Sequence, residues 1–228
     1  MKESKKMNYV ANLGEFSLGG MKKIKVKATF IDEILGSCPC TKEVYLEYIK
    51  DKWEKKKDEY YKNHPEEISQ QIKEEADKLP SLEEDLEERK ITVFLRNDNK
   101  EPVFSQHVIK GFFKNAAKAF YAVNKPLSAY KTKIDNLIFV GPDYIPIKFQ
   151  GEIDINERPL RAETAQGPRV ALAASESIPA GAEIEFEVMM MDPSLEPHII
   201  DWLHYGQLNG LGQWHNGGKG RFTFELIE

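Results

Sequence analysis

The sequence predicts an α+β domain with an antiparallel sheet and an acidic helical insertion. Three observations lead there. Segments with strict polar/apolar alternation stand near both ends of the chain, and alternation of period two marks half-buried strands. Between them, Val108, Ile109, Phe112, Phe113, Ala116 and Phe120 recur at helical spacing. From residue 41 to 90 the composition shifts to Lys, Glu, Asp and Gln with a thin apolar stripe, the pattern of amphipathic helices lying outside a core.

In chain order, residues 1–20 read as a disordered leader. A strand follows near Met21 to Ile31, where Ile24, Val26, Ala28 and Phe30 alternate with Lys23, Lys25 and Lys27. The insertion, 41–90, is punctuated by Pro65 and Pro80. Ile91 to Arg96 and Pro102 to Gln106 flank the polar turn Asn97, Asp98, Asn99 as a hairpin. The helix of Val108 to Phe120 carries Lys110, Lys114 and Lys118 on another face. Leu137 to Val140 and Tyr144 to Phe149 are strands around a Gly141–Pro142 turn. Glu157 to Arg169, with three arginines, two prolines and no period, reads as an exposed loop. Ala182 to Met190 alternates as a strand, Asp192–Pro193 starts a short helix that ends at Gly206, and Phe222, Phe224 and Leu226 form a final strand. The order is consistent with a βαββαβ ferredoxin-like, RRM-like core, so that 21–228 is a single domain with the insertion 41–90.

Composition narrows the function. Hydrophobic residues at 41% and charged residues at 30% describe a globular chain, and no stretch has the roughly 18 apolar residues in a row of a membrane span. The N-terminus shows no apolar signal region. Cys38 and Cys40 supply at most half of a four-ligand zinc site, so they read as reduced thiols in a cytoplasmic protein. Net charge is −5, but unevenly placed: Ser105 to Arg169 holds 10 basic and 6 acidic residues, whereas Val170 to Glu228 holds 2 and 9. A basic middle between acidic segments can meet a polyanion.

The most informative stretch is GLGQWHNGGKGRF, from Gly210 to Phe222. Gly210, Gly212, Gly217, Gly218 and Gly220 let another backbone come close, Lys219 and Arg221 neutralise phosphates, and Trp214 stacks a base. It has neither the P-loop spacing nor the strand-to-helix context of a dinucleotide fingerprint. The alternative is a connection whose Trp214 packs on the core. His215 is the one candidate general acid or base in the loop; His198 and His204, six apart on a helix, point to different faces. No metal, cofactor or catalytic residue set is expected.

These residues resemble a known family. IPAGAEIEFEV (Ile178 to Val188), a helix, and LNGLGQWHNGGKGRFTFE (Leu208 to Glu225) look like the C-terminal half of the RAMP superfamily, the ferredoxin-like RNA-binding backbone subunits of CRISPR effector complexes. VKATFIDEILGS (Val26 to Ser37) is similar to the family's first strand and turn, and HVIKGFFKNAAKAF (His107 to Phe120) to its helix start, with Lys110 and Gly111 in place of Pro-Gly-Ser-Ser. ERPLRAETAQGPRVALA (Glu157 to Ala173) looks like conserved prophage or mobile-element proteins of Gram-positive bacteria. The resemblance implies single-stranded RNA held by its backbone without turnover, with contacts from the loop, Arg158, Arg161, Arg169, Lys110 and Lys114, and a homo-oligomer along the nucleic acid. The family's catalytic aspartate has no match: Ser37, Cys38, Pro39 and Cys40 follow Gly36, and Asp32 and Glu33 precede the turn. Two alternatives stand beside it: a phage-encoded protein that mimics or blocks a host nucleic-acid complex through a protein partner at the acidic insertion, and a metal-independent endoribonuclease using His215.

Overall fold

The computed structural model describes residues 20–39, 91–164 and 167–227, with backbone alone at 160–164, 168, 169 and 171. The expected leader (through residue 19), Cys40 and the expected insertion lie outside the described residues. Those described form a mixed α+β structure of two sheets and three α-helices.

β1 (Lys22–Phe30) turns Ile24, Val26, Ala28 and Phe30 to the core and its lysines outward, as the alternation requires. It lies between β11 (Glu183–Met190) and β12 (Phe222–Ile227), antiparallel to both. The other edge of β11 is shared: β7 (Ile138–Gly141) pairs with Glu187 to Met190, and β8 (Tyr144–Lys148) with Glu183 and Ile184. Beyond β8 stand β6 (Pro102–Ser105) and β5 (Leu95–Arg96), joined as the expected hairpin around Asn97.

Two long helices supply one layer over this sheet. α1 (Gln106–Asn124) starts at Ser105, whose hydroxyl accepts from the His107 amide, and buries Ile109, Phe112, Phe113, Ala116 and Ala117. It stops at Lys125, which is left-handed (φ 50°) and precedes Pro126. α3 (Glu196–Tyr205) follows a 3-10 turn capped by Asp192 and buries Ile199, Trp202 and Leu203. The layers lock through aromatic contacts: Phe112 to Phe222 at 5.3 Å, Phe113 to Trp202 at 5.8 Å and Phe30 to Phe222 at 6.0 Å between centroids. No described helix is long and apolar enough to cross a membrane.

The second sheet is built on β10 (Gly167–Ile178), which pairs with β2 (Ile34–Leu35) and β4 (Thr92–Val93), and β4 in turn with β3 (Cys38–Pro39). Along its other edge β10 pairs with β9 (Asp154–Thr164) from Ser177↔Asp154 to Gly167↔Thr164. Glu176 stitches the sheets together, accepting from the Phe94 amide at 2.7 Å and from Arg96 at 2.6 Å.

Three expectations need correction. Within Glu157 to Arg169, residues 157–164 and 167–169 are not loop but strand, part of the β9/β10 ribbon. A two-stranded ribbon buries little of either face, so it needs no apolar alternation, and Pro159 stands on β9, an edge strand among the described residues, where proline is tolerated. Leu137 ends a helix, α2 (Tyr130–Leu137), rather than starting a strand; α2 buries only Ile134 and so leaves no periodic signature. Ile91 to Arg96 is two short strands in different sheets.

Candidate nucleic-acid interface

The open face of the main sheet is charge-compensated. Lys23 pairs with Glu187 at 2.6 Å, Lys27 with Glu183 at 2.8 Å and Lys148 with Glu185 at 2.8 Å. This face, largely of matched pairs and with Phe139 as its one large exposed aromatic among the described residues, offers a polyanion little.

The glycine-rich loop is closed at its neck. The Leu211 amide donates to the Gly220 carbonyl at 2.9 Å, the Gly220 amide to the Glu33 carbonyl at 2.9 Å and the Phe222 amide to the Gly206 carbonyl at 3.0 Å. A Cβ on Gly210 would lie 2.1 Å from the Gly220 carbonyl carbon and oxygen, and one on Gly220, which has φ +68°, would lie 2.0 Å from the Leu211 oxygen. Only glycine allows the two strands of the neck to touch. Gly212, Gly217 and Gly218 sit within the closed turn, Gly217 against the Trp214 indole.

The loop's two cations are already paired. Lys219 is bonded to the Glu33 carboxylate, and Arg221 Nε donates to Asp32 at 2.6 Å. Asp32 is held below its ordinary range chiefly by Arg221. Burial pushes Glu33 up, but hydrogen bonds from Lys219, Ser177 and Asn156 outweigh it and leave the carboxyl below its usual range. Both cations therefore tie the loop to the end of β1, whereas the sequence reading had them free for phosphate. The open cleft beside them, about 600 Å³, is lined by Asp32, Glu33, Glu152 and Asp154 against Lys219, and its negative field disfavours an anion.

On its other flank the loop meets the ribbon. Gln213 Oε1 accepts from Thr92 at 2.7 Å and from Ser175 at 2.8 Å. Arg158, expected on an exposed loop, is 5% exposed; its two terminal nitrogens donate to Ser175 Oγ at 3.2 Å, and its guanidinium lies 4.6 Å from the Trp214 ring centroid. Its Nε has no partner, and no described carboxylate pairs with it. Burial lowers its pKa, with the charge of Glu33 acting in the opposite sense. Trp214 is 39% exposed, in the left-handed region at φ 57°. The result is an indole held in place by a buried cation and still open to solvent.

His215 is fixed by Asn209, whose Oδ1 stands 2.6 Å from its Nδ1, and Asn209 in turn donates to the Tyr205 hydroxyl at 3.1 Å. Burial lowers the His215 pKa, favouring the neutral imidazole. Lys114 pairs with Asp135 at 2.5 Å, and Lys110, its pKa lowered by burial, lies 5.3 Å over Phe139. These two lysines sit on α1 beside α2, apart from the loop's own contacts. Arg161 and Arg169 stand on the ribbon at the register positions Val170↔Arg161 and Arg169↔Ala162. His198 stacks on Trp202, whereas His204 is exposed and meets Phe224 edge-on, so the two stand in separate places. Among the described residues no group of three or more His, Cys, Asp or Glu is placed to hold a metal. The sequence reading missed Asp32 and Glu33 as loop partners and Thr92, Ser175 and Gln213 as its link to the ribbon.

No protein-family model matches the chain, and no curated protein matches it. Among solved structures, a chain of type III-B Cmr-beta bound to cognate target RNA is similar, with a TM-score of 0.50 and 11% identity over 91% of this chain. This chain spans 59% of the length of that one. A chain of a type IV-B CRISPR complex aligns with a TM-score of 0.42 and 10% identity, covering 90% of each. At 11% identity the first likeness is one of fold alone: the chain shares its architecture with a chain of that Cmr-beta structure.

Proposed function

We propose that this chain binds single-stranded RNA by its backbone, without turnover, as a RAMP-like protein on a ferredoxin-like core, in the prophage or mobile-element setting that its ribbon sequence resembles. The strand order β12-β1-β11-β7/β8, with α1 between β1 and β7 and α3 between β11 and β12, supports the βαββαβ reading. Residues 21–228 are then one domain, with 41–90 inserted between β3 and β4.

The observation that carries the reading is Trp214: a half-exposed indole in a loop locked at its neck and backed by the Arg158 guanidinium. A preset aromatic surface stacks a base at little ordering cost, and such stacking contributes about 1 to 3 kcal/mol per base. Phosphate contacts fall mainly to Arg161 and Arg169 on the ribbon, because Lys219 and Arg221 share their charge with Glu33 and Asp32. Lys110 and Lys114 extend the path.

Filter binding with a single-stranded RNA tests the assignment. Trp214→Ala weakens binding at every salt concentration, by about fivefold or more. Arg161→Ala with Arg169→Ala lowers affinity and flattens its salt dependence by about 0.7 per lost phosphate contact. Unchanged affinity in both variants rejects the proposal.

A further inference from the structure

Residues 106–134 hold Lys110, Lys114, Lys118, Lys125, Lys131 and Lys133 and not one carboxylate, in a chain whose net charge is −5. Lys110 and Lys114 are engaged with Phe139 and Asp135. The remaining four cluster where α1 ends and α2 begins. Lys118, Lys125 and Lys131 are exposed and Lys133 partly so, and none forms an ion pair among the described residues. Asp135 on α2 is already held by Lys114, and the Asp192 carboxyl feels Lys133 only through space.

Aromatic surface stands among these cations. Tyr121 is 38% exposed, its ring 5.6 Å from that of Tyr130, and the Lys125 ammonium lies 6.0 Å from its centroid. The helix end that carries it is open throughout residues 121–126. On β1 three of four lysines, Lys22, Lys23 and Lys27, pair with carboxylates, and Lys148 on β8 does too, whereas at this corner Lys118, Lys125, Lys131 and Lys133 all lack an ion pair among the described residues.

We infer that the α1–α2 corner, formed by Lys118, Tyr121, Lys125, Tyr130, Lys131 and Lys133, is a second RNA-binding surface, distinct from the glycine-rich loop. Cations spaced along a helix track phosphates, and an exposed tyrosine gives a base something to stack on; together these are the two elements of sequence-tolerant single-strand binding. Lysines are point charges without the fork that reads a base edge, so the corner takes any sequence. An acidic protein partner would satisfy the lysines but leave the exposed Tyr121 face without a role, which favours nucleic acid.

The experiment is fluorescence anisotropy with a labelled 20-nucleotide oligouridylate, over a salt series, on the full chain. Lys118→Gln, Lys125→Gln and Lys131→Gln combined are expected to weaken binding at least tenfold at low salt and to reduce the slope of log affinity against log salt by about 2, at roughly 0.7 per phosphate. Tyr121→Ala weakens it severalfold with the slope unchanged. All four positions are exposed, so an unchanged thermal midpoint separates loss of contact from loss of fold. Unaltered affinity in the lysine triple and in Tyr121→Ala overturns the inference, as does tighter binding of a labelled polyglutamate peptide of equal charge. Trp214→Ala is run beside them: if it alone weakens binding, the corner falls and the loop stands; if the corner variants alone weaken it, the loop reading falls and the corner stands.

Discussion

Replacing Gly220 by alanine probes the loop's neck, and Gly218→Ala is the natural control. Both glycines have positive φ, +68° and +83°, so either alanine carries the left-handed cost of about 1 to 2 kcal/mol. They differ in surroundings. A Cβ at 218 meets nothing within 4 Å, whereas at 220 it lies 2.0 Å from the Leu211 oxygen, with the Leu211 carbonyl carbon and nitrogen at 3.1 and 3.2 Å. Relieving that overlap separates the neck and gives up the Leu211-to-Gly220 and Gly220-to-Glu33 hydrogen bonds, each a net contribution of about 1 kcal/mol. Displaced backbone adds roughly 1 kcal/mol more. Gly220→Ala is therefore about 3 kcal/mol less stable than Gly218→Ala, which for a chain of this size separates their Tm values by roughly 6 to 12 °C. Calorimetry on the two variants decides it. Equal midpoints would show that the neck yields freely, and the argument from close approach would fail.

Glu176→Ala leaves the half-buried Arg96 without its carboxylate and the buried Phe94 amide without its acceptor; it is expected to lose about 3 kcal/mol in urea denaturation. Arg158→Met is expected to stay within about 1 kcal/mol of the parent, since loss of the contact with Trp214 is offset by no longer desolvating a guanidinium that has no carboxylate; a loss above about 3 kcal/mol in the same assay contradicts this. The Asp32–Arg221 pair sets a pH signature. Because the folded Asp32 carboxyl lies below its ordinary 3.8, its contribution is complete above that value and disappears as pH falls through the folded value. The Tm gap between the parent and Asp32→Asn should shrink steadily below about pH 4, and a gap constant through acid pH would exclude the pair as its source.

β1, β11, β12, α1 and α3 were legible in the sequence because each buries one face and exposes the other, which writes period two or 3.6 into the residues. The β9/β10 ribbon was not, because Ala, Pro and Arg in a two-stranded ribbon follow backbone pairing rather than burial. α2, held by Ile134 alone, was equally silent. The loop's glycines pointed to close backbone approach, but not to its carboxylate partners. Glu33 and Asp32 lie 186 and 189 residues from Lys219 and Arg221, and only the β1/β12 register, with Phe30 opposite Phe222, brings them together. Arg158 was misplaced for the same reason: its burial depends on Ser175 and Trp214, contacts that no local pattern encodes.

The pairing of β3 with β4 has a consequence for how the chain can change. Cys38 faces Val93 and Pro39 faces Thr92, so the polypeptide that departs after β3 returns to the adjacent backbone position before β4. The two ends of residues 40–90 are thus fixed side by side by one strand pair. Trimming those roughly fifty residues to a four-residue turn would ease ring closure by roughly 2 kcal/mol. Any replacement whose ends lie one strand spacing apart is therefore expected to leave β3 and β4 in register.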